Sequence, residues 1–468
     1  MEFISILNDV LGPVMRGPSS SHTAGSYHIG RLLRSMLDGE PARATFTFDP
    51  KGSYAATYRQ QGVDLALTAG LLGWPITDHR FARALDHAAR RGFRPLFRVA
   101  PLERADHPNT VTAEIVSKSG RRLRATAKSI GGGMVLVTEV DGRPVRLDGK
   151  SQAAVALGGG DGGERGETVV VPPLFHVQEG KPLFTSSEEM VALARRRRVS
   201  LGRVALAYES RLLGLPEADV LDEIGRRLEI MKDSVRRGLR GPGLRLKLLK
   251  PTAGRILGAE AAGGLPGGGM PARAAARSMA ALHVAGSGGV VCAAPTGGSA
   301  GVLPGVMVTL AEEKGLDKEK AALALLAAGA VGLIVARRAT FAAEVAGCQV
   351  EIGVAGAMAA AAVVEAAGGT AAQAADAAAI SLQNTMGSVC DLVQGMCEIP
   401  CHTRNAVAAS SAFVCADLVV GGYENPVPLD ETIDASFDSG RMLPPELRCT
   451  AMGGLAVAPS ALSLKKRR

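Results

Sequence analysis

The stretch Asn384-Thr-Met-Gly-Ser-Val-Cys390-Asp-Leu-Val-Gln-Gly-Met-Cys397-Glu-Ile-Pro-Cys401-His-Thr-Arg404-Asn405-Ala406 sets three thiols within twelve residues, among Gly and Pro that bend the backbone. Thiolates on such a bend are the ligands that zinc and iron–sulfur clusters take. Cys390 and Cys401 are eleven residues apart, and Cys348 lies forty-two residues before Cys390, in Gly347-Cys348-Gln-Val-Glu351. Ferredoxin clusters use short Cys-x₂-Cys runs and zinc ribbons use paired ones, and this spacing matches neither. Spacing alone therefore leaves two readings open, a metal centre or buried thiols acting as small hydrophobes. The second is the expectation for Cys292, Cys397 and Cys415.

Working back from this stretch, the chain reads as helical. Segments at 371–385, 354–367, 320–337, 306–315 and 271–284 carry apolar residues at helical spacing, and several are rich in Ala and Gly. Small residues let helix backbones approach closely, which suits a compact bundle. Arg226-Arg-Leu-Glu-Ile-Met-Lys-Asp-Ser-Val-Arg-Arg-Gly238 repeats the helical period and ends in Gly, and Ser186-Ser-Glu-Glu resembles an N-terminal cap with an acidic first turn. Before it, Gly158-Gly-Gly-Asp-Gly-Gly-Glu-Arg-Gly-Glu167 has the composition of a flexible linker. The first part differs. Thr45-Phe-Thr-Phe alternates like a strand, Val111-Thr-Ala-Glu-Ile-Val and Met134-Val-Leu-Val-Thr-Glu-Val read as strands, and a helical pattern starts near Ile29. The expectation is an α+β N-terminal domain (1–155), a Gly-rich linker (156–184) and a mostly α-helical C-terminal domain (185–468).

Composition narrows the function classes. Hydrophobic content of 47% and charged content of 21% suit a globular protein, and aromatics at 4% are too few for a base-stacking surface. The net charge of +8 sits partly in short runs, Arg195-Arg-Arg-Arg198 and Lys465-Lys-Arg-Arg468, with no nucleic-acid-binding motif beside them. Seven cysteines, none before Cys292, do not form a secreted disulfide framework. The N-terminus lacks a signal-peptide pattern. The longest apolar run, 321–336, is shorter than the roughly 20 residues of a membrane span and reads as a buried helix. The expectation is a cytoplasmic protein, a homodimer, with neither nucleic acid nor membrane as partner.

Two polar loops carry chemistry. Gly17-Pro18-Ser19-Ser20-Ser21-His22-Thr23-Ala24-Gly25 places four hydroxyls and one imidazole within five residues where a helix opens. Free N–H groups there would hold a carboxylate. A cap alone explains one Ser, and not three followed by His-Thr. Ala293-Ala-Pro295-Thr296-Gly297-Gly298-Ser299-Ala300-Gly301-Val-Leu-Pro304-Gly305 is a Gly-rich turn with hydroxyls. It lacks the patterns of a P-loop or a dinucleotide fingerprint, and reads as a substrate-anion loop or a plain tight turn.

Taken together, these motifs resemble the iron–sulfur-dependent bacterial L-serine dehydratases. The resemblance runs through the loop at 17–25, His107-Pro-Asn109-Thr, Ser129-Ile-Gly-Gly-Gly, the loop at 293–301, Gly-Cys348-Gln-Val-Glu-Ile-Gly, Cys390-Asp, Pro400-Cys401-x-x-Arg404-Asn405-Ala and Gly453-Gly454-Leu-Ala456, in β-then-α order over nearly the whole chain. It implies a [4Fe–4S] cluster on Cys348, Cys390 and Cys401, with one iron free of protein thiolate. It also implies a small amino-acid substrate contacted by Ser19, Ser20, Ser21 and Thr23. Thr296, Ser299, Glu351, Arg404 and Asn405 are further candidate contacts, and His22 is the candidate base. The implied reaction converts L-serine to pyruvate and ammonia, a step of amino-acid catabolism that feeds gluconeogenesis. The alternatives are the same elimination on L-cysteine, threonine or a hydroxy acid, or a non-catalytic redox sensor. The sequence departs from the family in several places. Gln61 and Val63 stand where the family has His and Thr, Leu392 follows Cys390-Asp, and Cys397 and Cys449 are extra thiols.

Overall fold

The computed structural model describes residues 3–158 and 167–467, so most of the Gly-rich segment 158–167 lies outside the described residues. The chain divides into two units, Met15–Gln178 and a second made of Met1–Val14 with Glu179–Arg468.

The first unit is built on a six-stranded sheet. Helix α1 (Gly25–Ser35) precedes β1 (Pro41–Phe48), and α2 (Val63–Leu71) precedes β2 (Arg94–Val99). Strands β3 (Thr110–Ser117), β4 (Arg122–Gly131), β5 (Met134–Val140) and β6 (Arg143–Leu147) follow. Their order is β2-β1-β3-β4-β5-β6, with β1 and β2 parallel and every other pair antiparallel. Alternation decides the faces: Val111, Ala113 and Ile115 of β3, and Leu123, Ala125 and Ala127 of β4, all turn into the core with Ile29, Leu32, Leu33 and Leu67 of the helices. Gly131, Gly132 and Gly133 all have positive φ, which makes the tight turn into β5. A second pair, β7 (Ala153–Leu157) and β8 (Glu167–Val171), is antiparallel.

The second unit is helical. Its longer helices include α3 (Ser187–Arg197), α4 (Leu201–Leu213), α5 (Glu217–Arg240), α6 (Gly269–Gly286), α7 (Val302–Glu313), α8 (Lys318–Arg338), α9 (Ile352–Ala366), α10 (Ala371–Gln383), α11 (Cys401–Val420) and α12 (Leu429–Arg441). Ser186 caps α3 by accepting a hydrogen bond from the Glu189 N–H, as its sequence predicts. Helix α8 is long and apolar enough to cross a membrane, but its apolar window is 78% buried within the unit. It is a core helix. The first residues of the chain pack against it: Gly329 and Gly332 leave room for Ile6 and Val10, where a Cβ would stand 2.5 and 2.3 Å from their side chains. The buried Glu209 carboxylate accepts the N–H groups of Ile6 (2.8 Å) and Leu7 (2.9 Å), while the Arg227 guanidinium donates to the carbonyls of Leu7 and Leu11. A segment too short to fold alone is thereby fixed at both ends.

One reading of the sequence needs correction. Gly238 does not end its helix, which runs on to Arg240 and stops at Gly241 (φ +79°). Gly238 instead marks the crossing of α5 over α6, where a Cβ would lie 1.9 Å from the Ala280 carbonyl oxygen. Gly225, in the same helix, has open space around it. Gly225→Ala is therefore expected to stabilise by up to about 1 kcal/mol through helix propensity. Gly238→Ala is expected to destabilise by about 1–3 kcal/mol through overpacking. Denaturant unfolding of the two variants checks this, and equal effects would contradict the crossing.

Candidate metal centre

The centre begins with a loop-to-loop tie. Gly347 has φ +74°, and a Cβ on it would stand 2.6 Å from the Ser388 carbonyl oxygen. That close approach lets the Cys348 N–H donate to the same oxygen at 2.9 Å. The fully buried Gln349 completes the tie. Its carbonyl oxygen accepts from the Gly387 N–H (2.8 Å) and the Ser439 hydroxyl (3.1 Å), and its amide donates to Ala346 (2.9 Å). These bonds hold the segment at 346–349 against the one at 387–388. A short parallel pair, β9 (Cys390–Asp391) with β10 (Arg448–Thr450), then carries Cys390 into place.

The result is a compact group: the sulfurs of Cys348 and Cys390 and a carboxyl oxygen of Glu351 all lie within 4.8 Å of one another. Both thiols are buried. Hydrogen bonds to Cys348 and Cys449, together with burial, push the Cys390 thiol well above the usual range. Burial pushes Glu351 up to about 7 although Thr296 donates a hydrogen bond to it. Cys401, the first residue of α11, neighbours this compact group without belonging to it. Its thiol is raised by a hydrogen bond with Cys397, by burial, and by its proximity to Cys348 and Glu351. Acidic groups that resist ionisation when crowded are released by a cation among them, because metal ligation deprotonates thiols. Soft sulfur donors select iron–sulfur clusters, zinc or copper(I) over magnesium or calcium. The donor set thus fits an iron–sulfur group.

The surrounding residues have definite partners. Asp391 is buried; it accepts from the Leu455 N–H (2.7 Å) and pairs with Arg404 (3.0 Å). Arg404 also donates to the Val389 carbonyl (2.7 Å) and approaches the Cys348 sulfur (3.7 Å). With Cys348 and Cys415 it lines a cavity of about 580 Å³. Thr296 and Ser299 share a hydrogen bond of 3.0 Å, and a Cβ on Gly298 would stand 2.7 Å from the Glu351 carboxyl. The 295–301 turn therefore lies directly on that carboxyl. Asn405 locks it there: its amide donates to Gly298 (2.8 Å) and Cys401 (2.9 Å), and its oxygen accepts from the Gly301 N–H (3.2 Å).

The hydroxyl-rich loop belongs to the other unit. Ser19 caps the helical turn Ser20–Ala24 that leads into α1, accepting from the His22 N–H at 3.2 Å. The His22 ring lies between hydroxyls, Nδ1 3.0 Å from Ser21 Oγ and Nε2 3.0 Å from Ser53 Oγ, and burial lowers its pKa to about 3. Thr23 donates to the Gln61 carbonyl (2.8 Å). Gln349, Asp391 and Asn109 lie in motifs quoted from the sequence, which gave them no role of their own. The first two sit beside quoted cysteines. The Asn109 side chain is fully buried, and neither its amide nitrogen nor its oxygen has a partner among the described residues.

The chain matches the family described as "Serine dehydratase alpha chain" over residues 114–456. It is 35% identical over 285 residues to the "Probable L-serine dehydratase, alpha chain" of Bacillus subtilis (strain 168), an alignment covering 61% of this chain and 95% of that one. The "Probable L-serine dehydratase, beta chain" of the same organism is 41% identical over 157 residues, or 34% of this chain and 69% of that one. The "L-serine dehydratase" of Mycobacterium bovis (strain ATCC BAA-935 / AF2122/97) is 29% identical over 485 residues, covering 94% of this chain and 95% of that protein.

An ordinary imidazole titrates near pH 6.5, whereas burial lowers the folded His22 pKa to about 3, so that the ring is protonated only below that pH. Its contribution to stability is complete above about 6.5, where neither state binds the proton, and is lost as pH falls toward 3 because the unfolded state then binds more. NMR of ring-labelled histidine should show His22 neutral throughout the normal imidazole range. A midpoint near 6.5 would contradict its burial among hydroxyls.

Proposed function

The chain belongs to the serine dehydratase alpha-chain family, and from that premise we propose that it is an L-serine ammonia-lyase. It would eliminate water from L-serine; the aminoacrylate left behind tautomerises and hydrolyses to pyruvate and ammonia. The observation that carries this reading is the compact group of Cys348, Glu351 and Cys390, with a hydroxyl-bearing turn bonded to it through Thr296. We assign Cys348, Cys390 and Cys401 as the residues that hold a [4Fe–4S] cluster, which when bound supplies an iron free of protein thiolate as Lewis acid for the poor hydroxide leaving group.

The chain's own residues do the rest. The hydroxyls of Ser19, Ser20, Ser21 and Thr23, at the opening of a helix, are assigned to the substrate carboxylate. His22 is a weak base in its buried neutral form. We therefore give it the task of orienting Ser21 and Ser53 in place of the proton abstraction first considered for it. Glu351 is assigned to the substrate ammonium. Arg404 is assigned to the carboxylate, since a guanidinium has five N–H donors and only Nη1 is engaged in the bonds described above. Asn405 acts through the turn it locks, as do Thr296 and Ser299 through Glu351. All seven cysteines are free, which suits a cytoplasmic enzyme kept reduced, and we propose a homodimer.

Anaerobic purification tests the reading. The expected protein is brown, contains iron and sulfide, and forms pyruvate from L-serine in preference to L-threonine or L-cysteine. Cys348→Ala and Cys390→Ala should lose both cluster and activity, whereas Cys415→Ala should keep both. A Cys390→Ala protein with a full iron complement would refute the ligand assignment. A colourless protein after anaerobic reconstitution would refute the function.

A further inference from the structure

Cys401 stands outside the compact group of Cys348, Glu351 and Cys390, and a separate segment of the chain grips it on both sides. That segment, 241–252, runs between α5 and the helix Ala253–Ala261 and contains neither helix nor strand. Its Leu246 and Leu248 are buried, and Gly286 of α6 admits Leu246, since a Cβ there would stand 2.8 Å from its side chain. Glu398 lies three residues before Cys401 and is 3% exposed. Its carboxyl accepts three successive N–H groups of the segment, from Lys247 (2.7 Å), Leu248 (2.8 Å) and Leu249 (2.9 Å). Burying a carboxyl group to fasten a loop carries a desolvation cost that an apolar residue avoids, and the three N–H groups offset it. The next bonds fall on the other side of Cys401. The N–H groups of Thr252 and Ala253 donate to His283 Nε2 at 3.1 and 3.4 Å. A ring nitrogen that accepts carries no proton, so the His283 proton is on Nδ1. It points to Nδ1 of His402, the residue after Cys401, at 3.3 Å. Both rings are fully buried.

We propose that the segment at 247–253 is a two-point clamp that positions Cys401 for the metal centre, with Glu398 as the positioning residue on one side of the thiol and His402, through His283, on the other. One grip lies three residues before Cys401 and the other one residue after it. The bend that carries the thiol therefore cannot swing without breaking bonds to the same segment. Contacts of this kind orient metal ligands, and their removal weakens metal binding by roughly 10–100-fold. The inference rests on the assignment of Cys401 to the cluster for the second of the two readouts below; the first needs no metal.

The test compares Glu398→Ala and Glu398→Gln with the unaltered full-length protein. The first readout is alkylation of the reduced, iron-free protein by iodoacetamide, each cysteine being followed by mass spectrometry. Cys401 is expected to react severalfold faster in Glu398→Ala, while Cys292, fully buried in the same unit, keeps its original rate. Glu398→Gln retains one acceptor oxygen and is expected to fall between the two, and it remains informative if the Ala variant folds poorly. The second readout is loss of iron to a chelator after anaerobic reconstitution, expected to be roughly 10–100-fold faster in Glu398→Ala. An unchanged Cys401 rate would overturn the inference. A rate raised equally at Cys292 would overturn it too, by making the effect a general loosening of the fold. Faster alkylation of Cys401 alone, with iron held as firmly as before, would overturn its role at the metal centre. Absence of any cluster in the unaltered protein would overturn the function proposed above, while the alkylation rates would still decide whether the clamp exists.

Discussion

Two thiols forty-two residues apart in the sequence, Cys348 and Cys390, are held with the Glu351 carboxyl so that their ligand atoms lie within 4.8 Å. Left without a cation, such a group is costly to ionise, since each anion formed raises the energy of the next. Much of the helical unit keeps the group together regardless. Gln349 spans the two loops, Gly347 permits their contact, Asn405 locks the turn on the far side of Glu351, and Asp391 with Arg404 closes the edge beside Cys348. Each of these bonds joins a cysteine-bearing segment to a different part of the chain. Built-in crowding of acidic groups, with backbone clamps around it, is the arrangement expected where a metal supplies the missing positive charge.

The same logic applies in the α+β unit on a smaller scale. His22 is buried among Ser19, Ser21 and Ser53 and stays neutral, so the loop presents hydroxyls and N–H groups without a competing fixed charge. Asn109 adds a buried amide with no partner among the described residues. Unsatisfied polar groups of that kind cost roughly 1–3 kcal/mol each, which marks the position as one where structure alone does not account for the residue.

How much of this was legible in the sequence depended on the kind of signal. Helical periodicity with Ala and Gly located α6 to α10 within a few residues, because an all-round small-residue helix has few other ways to bury itself. Alternation located β3 and β5 equally well. The cysteines were identified by type, but their grouping was not readable from spacing. It is made by hydrogen bonds from Gln349 and by a two-residue strand pairing with a segment some sixty residues later. Gly238 was misread for a related reason: a glycine that ends a helix and one that admits a neighbouring helix look alike until the neighbour, Ala280, is known.

The central claim is that the sulfur group of the helical unit holds a cluster at which L-serine is activated. Mössbauer spectroscopy of protein reconstituted anaerobically with ⁵⁷Fe addresses it most directly, because it resolves individual iron sites. The account predicts a [4Fe–4S] spectrum in which a single iron site changes its isomer shift and quadrupole splitting when L-serine is added, the others remaining as they were. A cluster spectrum indifferent to L-serine, or iron bound in no cluster at all, would contradict it.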